Sequence, residues 1–168
     1  MVHSIELIFD SDTEAVIRQI WDDLAGAGIP SQSPASRPHV TLAVAESISA
    51  DVDELLRALN ERLPLGCAVG APVLFGRATA VFARLIVPTG ELLALHADVH
   101  RRCLPYLAPA PLPNSLPGQW TAHVTLARRV DGAQLGRALQ IAGRPAQIDG
   151  RFAGLRRWDG NKRIEHLL

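Results

Sequence analysis

The pentapeptide His-Val-Thr-Leu-Ala stands at residues 39–43 and again at 123–127, 84 residues apart in a chain of 168. An internal repeat at half the chain length marks a duplicated structural unit. Each copy is a short, β-branched apolar run, which predicts a strand. On a strand, positions i and i+2 share a face. His39 and Thr41 therefore point one way and Val40 and Leu42 the other, into apolar packing, and the same holds for His123, Thr125, Val124 and Leu126.

The flanking sequence repeats an order as well: helix, loop, strand opening on a histidine, helix, then two strands. Residues 2–9 alternate as a strand. Ser11-Asp12-Thr13-Glu14 reads as a capping box ahead of Val16, Ile17, Ile20, Trp21 and Leu24 at helical spacing, with Gly26 and Gly28 closing the helix. A polar, proline-bearing loop over 30–38 leads to the first pentapeptide. Residues 49–63 repeat the helical pattern and stop at Pro64. Two apolar segments, 67–75 and 78–87, flank Gly76-Arg77 as a hairpin or meander. Residues 89–107 predict a third helix. The proline-rich run over 108–118 is excluded from helix and central strand and suits a mobile flap. Then follow a strand over 120–127, a helix over 132–142, and a hairpin of 147–158 with 162–167 turned at Asp159-Gly160.

Charge limits the range of partners. Seventeen basic side chains balance 17 acidic ones, so no overall field exists to hold a long polyanion. Basic residues concentrate in the second half, in Arg128-Arg129, Arg156-Arg157 and Lys162-Arg163, a distribution suited to a short phosphate-bearing ligand. The first residues lack a basic then apolar leader, and no stretch is long enough to span a bilayer, so a cytoplasmic protein making no membrane contact is expected. The even composition predicts a monomer. Cys67 and Cys103 lie inside apolar patterns without metal or redox spacing and read as buried thiols. His96 and His100 stand at i, i+4 on the third predicted helix, a metal-ligand spacing, but without the glutamate of an H-E-x-x-H motif; no metal is assigned. Trp120 and Trp158 read as core.

A two-fold arrangement of the halves brings both His/Thr pairs to one groove. Two imidazoles facing one another suit phosphoryl transfer, because one takes a proton from the attacking oxygen while the other protonates the leaving oxygen. The Thr41 and Thr125 hydroxyls can donate to non-bridging phosphate oxygens as charge develops. This scheme needs neither metal nor cofactor.

Paired H-x-T motifs in two halves of a chain this size resemble the 2H phosphoesterase superfamily. His123-Val124-Thr125-Leu126-Ala127-Arg128 is similar to the form in its bacterial branch, the RNA 2′,3′-cyclic phosphodiesterases or 2′-5′ RNA ligases. The resemblance covers nearly the whole chain. It implies an α+β fold in one domain, 1–168, with lobes of roughly 1–87 and 88–168 related by a pseudo-two-fold, antiparallel sheets lining a central groove and helices outside. It further implies hydrolysis of a 2′,3′-cyclic phosphate on RNA ends or small nucleotides to a 2′-phosphate, with His39 protonating the departing 3′ oxygen and His123 activating water. Thr41, Thr125 and Arg128 would contact the substrate, and 2′-5′ ligation would use the same groups in reverse. One departure stands out: the first motif continues Ala43-Val44-Ala45-Glu46 where that branch carries an aromatic residue and a glycine, so no base-stacking residue is expected there. Two alternatives stay open, a non-catalytic binder of phosphorylated nucleotides using the same groove and a metal hydrolase built on His96 and His100.

Overall fold

The computed structural model describes residues 2–33, 35–76 and 78–168. Two copies of one β-α-β-α-β unit follow each other along the chain. The first comprises β1 (His3–Phe9), α1 (Ser11–Gly26), β2 (His39–Ala45), α2 (Val52–Arg57) and β4 (Leu65–Gly76), with the two-residue β3 (Ser47–Ile48) after β2. The second comprises β5 (Ala80–Ile86), α3 (Gly90–Cys103), β7 (His123–Val130), α4 (Leu135–Ala142) and β8 (Ile148–Asp159), with the short β6 (Leu107–Ala108) before β7 and β9 (Ile164–Leu167) appended. The units meet between Gly76 and Ala80, not at residue 87, because the apolar strand β5 opens the second unit. The turn residue Arg77 lies outside the described residues.

All strand pairs are antiparallel, and they close a circuit. The order is β1-β2-β7-β5-β4-β8, and β8 returns to β1. The 12-residue β8 makes this possible: Ile148 to Phe152 pair with β4, and Phe152 to Asp159 pair with β1, while β9 lies along its outer end. The β2–β7 contact is the narrow point, a single pair Val40↔Val124. Two lobes result, one of β1, β2, β9 and the end of β8, the other of β4, β5, β7 and the start of β8.

Helices cross between units. α1 packs with α4 over β7, and α3 packs with α2 over β2. Each covers the apolar face of a strand from the opposite copy, burying Ile17, Ile20 and Leu24 of α1 and Leu92, Leu95 and Val99 of α3. α1 starts one residue earlier than the capping-box pattern implies, since Asp10 is the N-cap and its carboxylate accepts from the Thr13 N–H at 2.9 Å. Thr13 in turn sits so close to Gly150 of β8 that a Cβ there would lie 2.2 Å from its Oγ1. The expected helix over 49–63 is broken into α2 and a 3₁₀ turn, Ala58–Arg62.

The proline-rich loop is pinned, contrary to the expected flap. Leu107–Ala108 pairs with β3, the Leu112 N–H donates to Val44 O at 2.9 Å, and Ser115 is buried. Cys67 and Cys103 are buried thiols, both pushed up to about 12 by burial.

Arg84 is the largest fully buried side chain. Its guanidinium donates to the carbonyls of Gly70, Val69 (3.1 Å), Ala142 (3.0 Å), Pro145 (3.0 Å) and Ala146 (2.8 Å), tying β5 to β4 and to the C-terminal end of α4. α4 carries no basic residue in its own last turn. The guanidinium therefore supplies the cation that a helix C-terminus favours.

Candidate active site

The two H-x-T segments meet where the lobes touch. With Val40 opposite Val124 in an antiparallel pair, His39 falls beside Thr125 and Thr41 beside His123. All four side chains lie on one face of the sheet, and both segments show the same alternation, half-buried His and Thr around a buried Val.

Period two then breaks in both copies. Ile5 pairs with Ala43 but Glu6 with Thr41, and Phe82 pairs with Ala127 but Ala83 with Thr125, so Leu42 and Leu126 are each the extra residue of a β-bulge. The bulge turns Ala43 and Ala127 into the core. It also turns carbonyls away from the ladder, and each finds a donor. Trp120 Nε1 donates to Thr41 O at 2.8 Å and His96 Nε2 contacts Leu42 O at 3.0 Å. In the second copy Trp21 Nε1 donates to Thr125 O at 3.2 Å and the Ser31 hydroxyl to Leu126 O at 3.3 Å. Trp120 thus works behind the motif, stacked on His96 with ring centroids 3.9 Å apart. His96 also shares its Nε2 hydrogen with Ser115 O at 2.9 Å. An Nε2 that donates to carbonyls offers no lone pair to a metal, and no group of three or more His, Cys, Asp or Glu side chains among the described residues could hold one.

The imidazoles are oriented alike. Nδ1 of His39 lies 2.7 Å from Arg37 O, and Nδ1 of His123 lies 2.7 Å from Thr121 O. A carbonyl only accepts, so each Nδ1 carries the hydrogen and each neutral ring keeps its lone pair on Nε2.

Their surroundings differ. Nε2 of His39 is 3.5 Å from Glu6 Oε1. Glu6 is itself buried, accepting from the Ser4 hydroxyl at 2.5 Å and pairing at 2.6 Å with Arg156, which also binds Glu165. His123 instead lies against Phe75 of β4, centroids 4.6 Å apart, and beside Leu85 of β5. Burial pushes the His123 imidazole below its ordinary value, and the nearby His39 and Arg128 push it further the same way. His39 and Arg128 thus lie close enough to His123 to act on its charge. Arg128 is exposed and lines a small cleft with His39 and Thr125.

Two basic pairs expected to meet a ligand divide. Arg156 and Arg157 are buried in ion pairs, with Glu6 and Glu165 and with Asp53 respectively, whereas Lys162 and Arg163 are exposed. Sequence reasoning missed Glu6 and Phe75, and it gave Arg156 to a ligand where the structure gives it to Glu6 and Glu165. Glu6 carried no clear signal, since period two sets it with Ser4 on the face opposite Ile5, Leu7 and Phe9; Phe75 carried none, since an aromatic in an apolar strand reads as core.

The sequence model of the 2′-5′ RNA ligase superfamily matches residues 9–161. The chain belongs to that superfamily. No curated protein matches it in sequence. Among solved structures it is similar to TT0787 of Thermus thermophilus (TM-score 0.62, 16% identity, 100% of this chain and 95% of that one). It is also similar to E. coli LigT complexed with 3′-AMP (TM-score 0.57, 14% identity, 99% and 92% covered) and to Kluyveromyces marxianus Usb1 (TM-score 0.51, 10% identity, 99% and 98% covered). These likenesses establish the α+β fold expected of a 2H phosphoesterase. No helix among the described residues is long and apolar enough to cross a membrane.

Proposed function

We propose that residues 1–168 act as one phosphodiesterase unit that opens 2′,3′-cyclic phosphates on RNA or nucleotide ends, leaving a 2′-phosphate, without a metal ion or cofactor. The observation that carries this reading is the pair of identical bulged H-x-T segments whose histidines both tie Nδ1–H to a backbone carbonyl and so carry the lone pair of the neutral ring on Nε2. Neighbouring folds solved with 3′-AMP (LigT) and with uridine monophosphate (Usb1) support a nucleotide ligand.

In this mechanism His123 Nε2 takes a proton from water, the oxygen attacks phosphorus, and the bond to the 3′ oxygen breaks as His39 Nε2 delivers its proton there. The environments favour that division. His123 is held below its ordinary pKa and so stays neutral as a base, while of the two it is His39 that has a carboxylate within ion-pair reach. Thr41, Thr125 and Arg128 hold the non-bridging oxygens as the phosphorus becomes five-coordinate. With the 5′-hydroxyl of a second strand in place of water, the same steps break the bond to the 3′ oxygen and leave a 2′-5′ phosphodiester, the route to ligation.

The test is hydrolysis of 2′,3′-cyclic mononucleotides and of a short RNA ending in a cyclic phosphate, in EDTA. His39→Ala and His123→Ala are each expected to lose about 10²–10⁴-fold in kcat, the usual worth of one proton transfer. Either variant turning over at the wild-type rate overturns the two-histidine mechanism. Tight binding without turnover by the wild type would make the protein a reader of phosphorylated ends.

A further inference from the structure

Two groups of opposite kind compete for Nδ1 of His39. Arg37 O lies 2.7 Å from it and can only accept, whereas Nη2 of Arg156 lies 3.3 Å from it and can only donate. The outcome matters to an acid. A ring that gives up its proton from Nε2 is left with its hydrogen on Nδ1. An acceptor at Nδ1 therefore favours both the charged ring and the product of the transfer, and a donor there opposes both.

Glu165 touches both contenders. Its Oε2 accepts from Nη1 of Arg156, and its Oε1 stands 3.7 Å from Nη1 of Arg37. The Arg156 guanidinium is thereby stretched between two carboxylates, because its Nε and Nη2 are both held at 2.6 Å by Glu6 Oε2. Nη2 is left at the longer distance from the ring. Arg37 is fastened on its other side by Glu14 of α1 at 2.9 Å, which fixes the residue whose carbonyl anchors His39. The anchor of His123 is the carbonyl of Thr121, an exposed residue with no charge to fasten. Glu165 comes from β9, the strand appended after the two units, so it lies outside the duplication.

We propose that Glu165 is a positioning residue for His39: by holding Arg156 and Arg37 at once it gives Nδ1 to the carbonyl and so sets the ring to release a proton from Nε2. This inference rests on the hydrolase reading above and adds to it a residue outside both repeated motifs.

The experiment pairs a spectrum with a rate, in wild type and in the near-isosteric Glu165→Gln. Long-range ¹H–¹⁵N correlation of the imidazole nitrogens, with His39 assigned by difference against His39→Ala, reads the tautomer of the neutral ring and needs no turnover. Wild type is expected to carry the hydrogen on Nδ1. In Glu165→Gln the ratio of Nδ1–H to Nε2–H forms is expected to fall about tenfold, the size of one charge-assisted hydrogen bond. On a 2′,3′-cyclic mononucleotide kcat is expected to fall by a similar factor with KM little changed, because Glu165 holds no substrate atom. The Glu165 side chain is 31% exposed, so an amide fits in its place. Should that variant still fail to fold, Glu165→Asp draws the carboxylate back from both arginines and is expected to move both readouts the same way by less. A wild-type ring with its hydrogen on Nε2, a tautomer ratio unmoved in the variant, or an unmoved kcat in a working enzyme would overturn the positioning role while leaving the hydrolase reading intact. If the ratio falls in the variant but wild type turns over no cyclic phosphate, Glu165 still sets the ring and the hydrolase reading falls.

Discussion

Replacing Arg84 with methionine isolates what the buried guanidinium does. Methionine keeps most of the aliphatic stem, so little packing is lost, but the carbonyls of Val69, Gly70, Ala142, Pro145 and Ala146 lose their donor. Against this, the cost of burying a charge disappears. A net contribution of about 1 kcal/mol per lost hydrogen bond, offset by the recovered desolvation, leaves a destabilisation of about 3 kcal/mol, at the lower edge of what breaking a buried ionic network costs. For a chain of this length that is a fall in Tm of about 6–12 °C. Arg84→Lys keeps the charge but offers three donors in place of five, and about half the loss is expected. Urea denaturation followed by circular dichroism at pH 7 measures both, with m unchanged if the folded and unfolded states keep their extent. Arg84→Met within about 1 kcal/mol of wild type would refute the reasoning, since the carbonyls would then be satisfied without it.

Burial holds the imidazoles of His96, His100 and His123 below their ordinary value. Between those depressed values and about 6.5 the unfolded chain binds protons that the folded one does not, so stability is greatest above pH 6.5 and falls on acidification. Thermal melts at pH 7.5 and 5.5 check this, and a flat or rising Tm at the lower pH contradicts it. Phe75→Ala opens one side of His123, so its pKa should rise towards the ordinary value and the acid limb of the kcat/KM profile move to higher pH; an unmoved limb denies Phe75 that influence. Trp21→Phe and Trp120→Phe each remove an indole N–H from a bulge carbonyl, and each is expected to cost about 1 kcal/mol in urea unfolding and to lower kcat more than it alters KM; unchanged kcat in both would separate the bulges from activity. A p-nitrophenyl phosphodiester has a leaving group that needs no acid, so His39→Ala is expected to retain its hydrolysis and His123→Ala to lose it. The opposite pattern reverses the two roles.

The repeated pentapeptide exposed the duplication and the four motif side chains, because strand periodicity fixes which residues share a face. It hid the bulges. Leu42 and Leu126 look like ordinary inward residues, and only pairing with β1 and β5 reveals that each is surplus. The unit boundary was misplaced for a related reason: β4 and β5 are both apolar, and apolarity carries no mark of which unit a strand belongs to. Nor can local sequence show exchange between units, so neither α1 packing over β7 nor Trp21 reaching Thr125 O was legible. The basic clusters misled because charge was counted without partners: Arg157 has Asp53, 104 residues away in sequence, and Arg156 has Glu6, 150 away.

Under the proposed mechanism, duplication poses a chemical difficulty whose answer lies outside the motifs. Two identical H-x-T segments with identical Nδ1 anchors would give two equivalent histidines, whereas proton relay needs one acid and one base. The registers show where equivalence ends. Glu6 stands opposite Thr41 and next to Arg156; in the same relation to the second motif, Ala83 stands opposite Thr125 and next to Val73. Ser4 and Trp158 correspond likewise to Val81 and Phe75. The first copy thus surrounds its histidine with a carboxylate, a guanidinium and a hydroxyl, and the second surrounds its histidine with alanine, valine and an aromatic ring. Neither set lies in the pentapeptide. The strands β1 and β8 on one side, and β5 and β4 on the other, make two like residues unlike, and they are where substitutions should exchange the acid and base roles without touching a histidine.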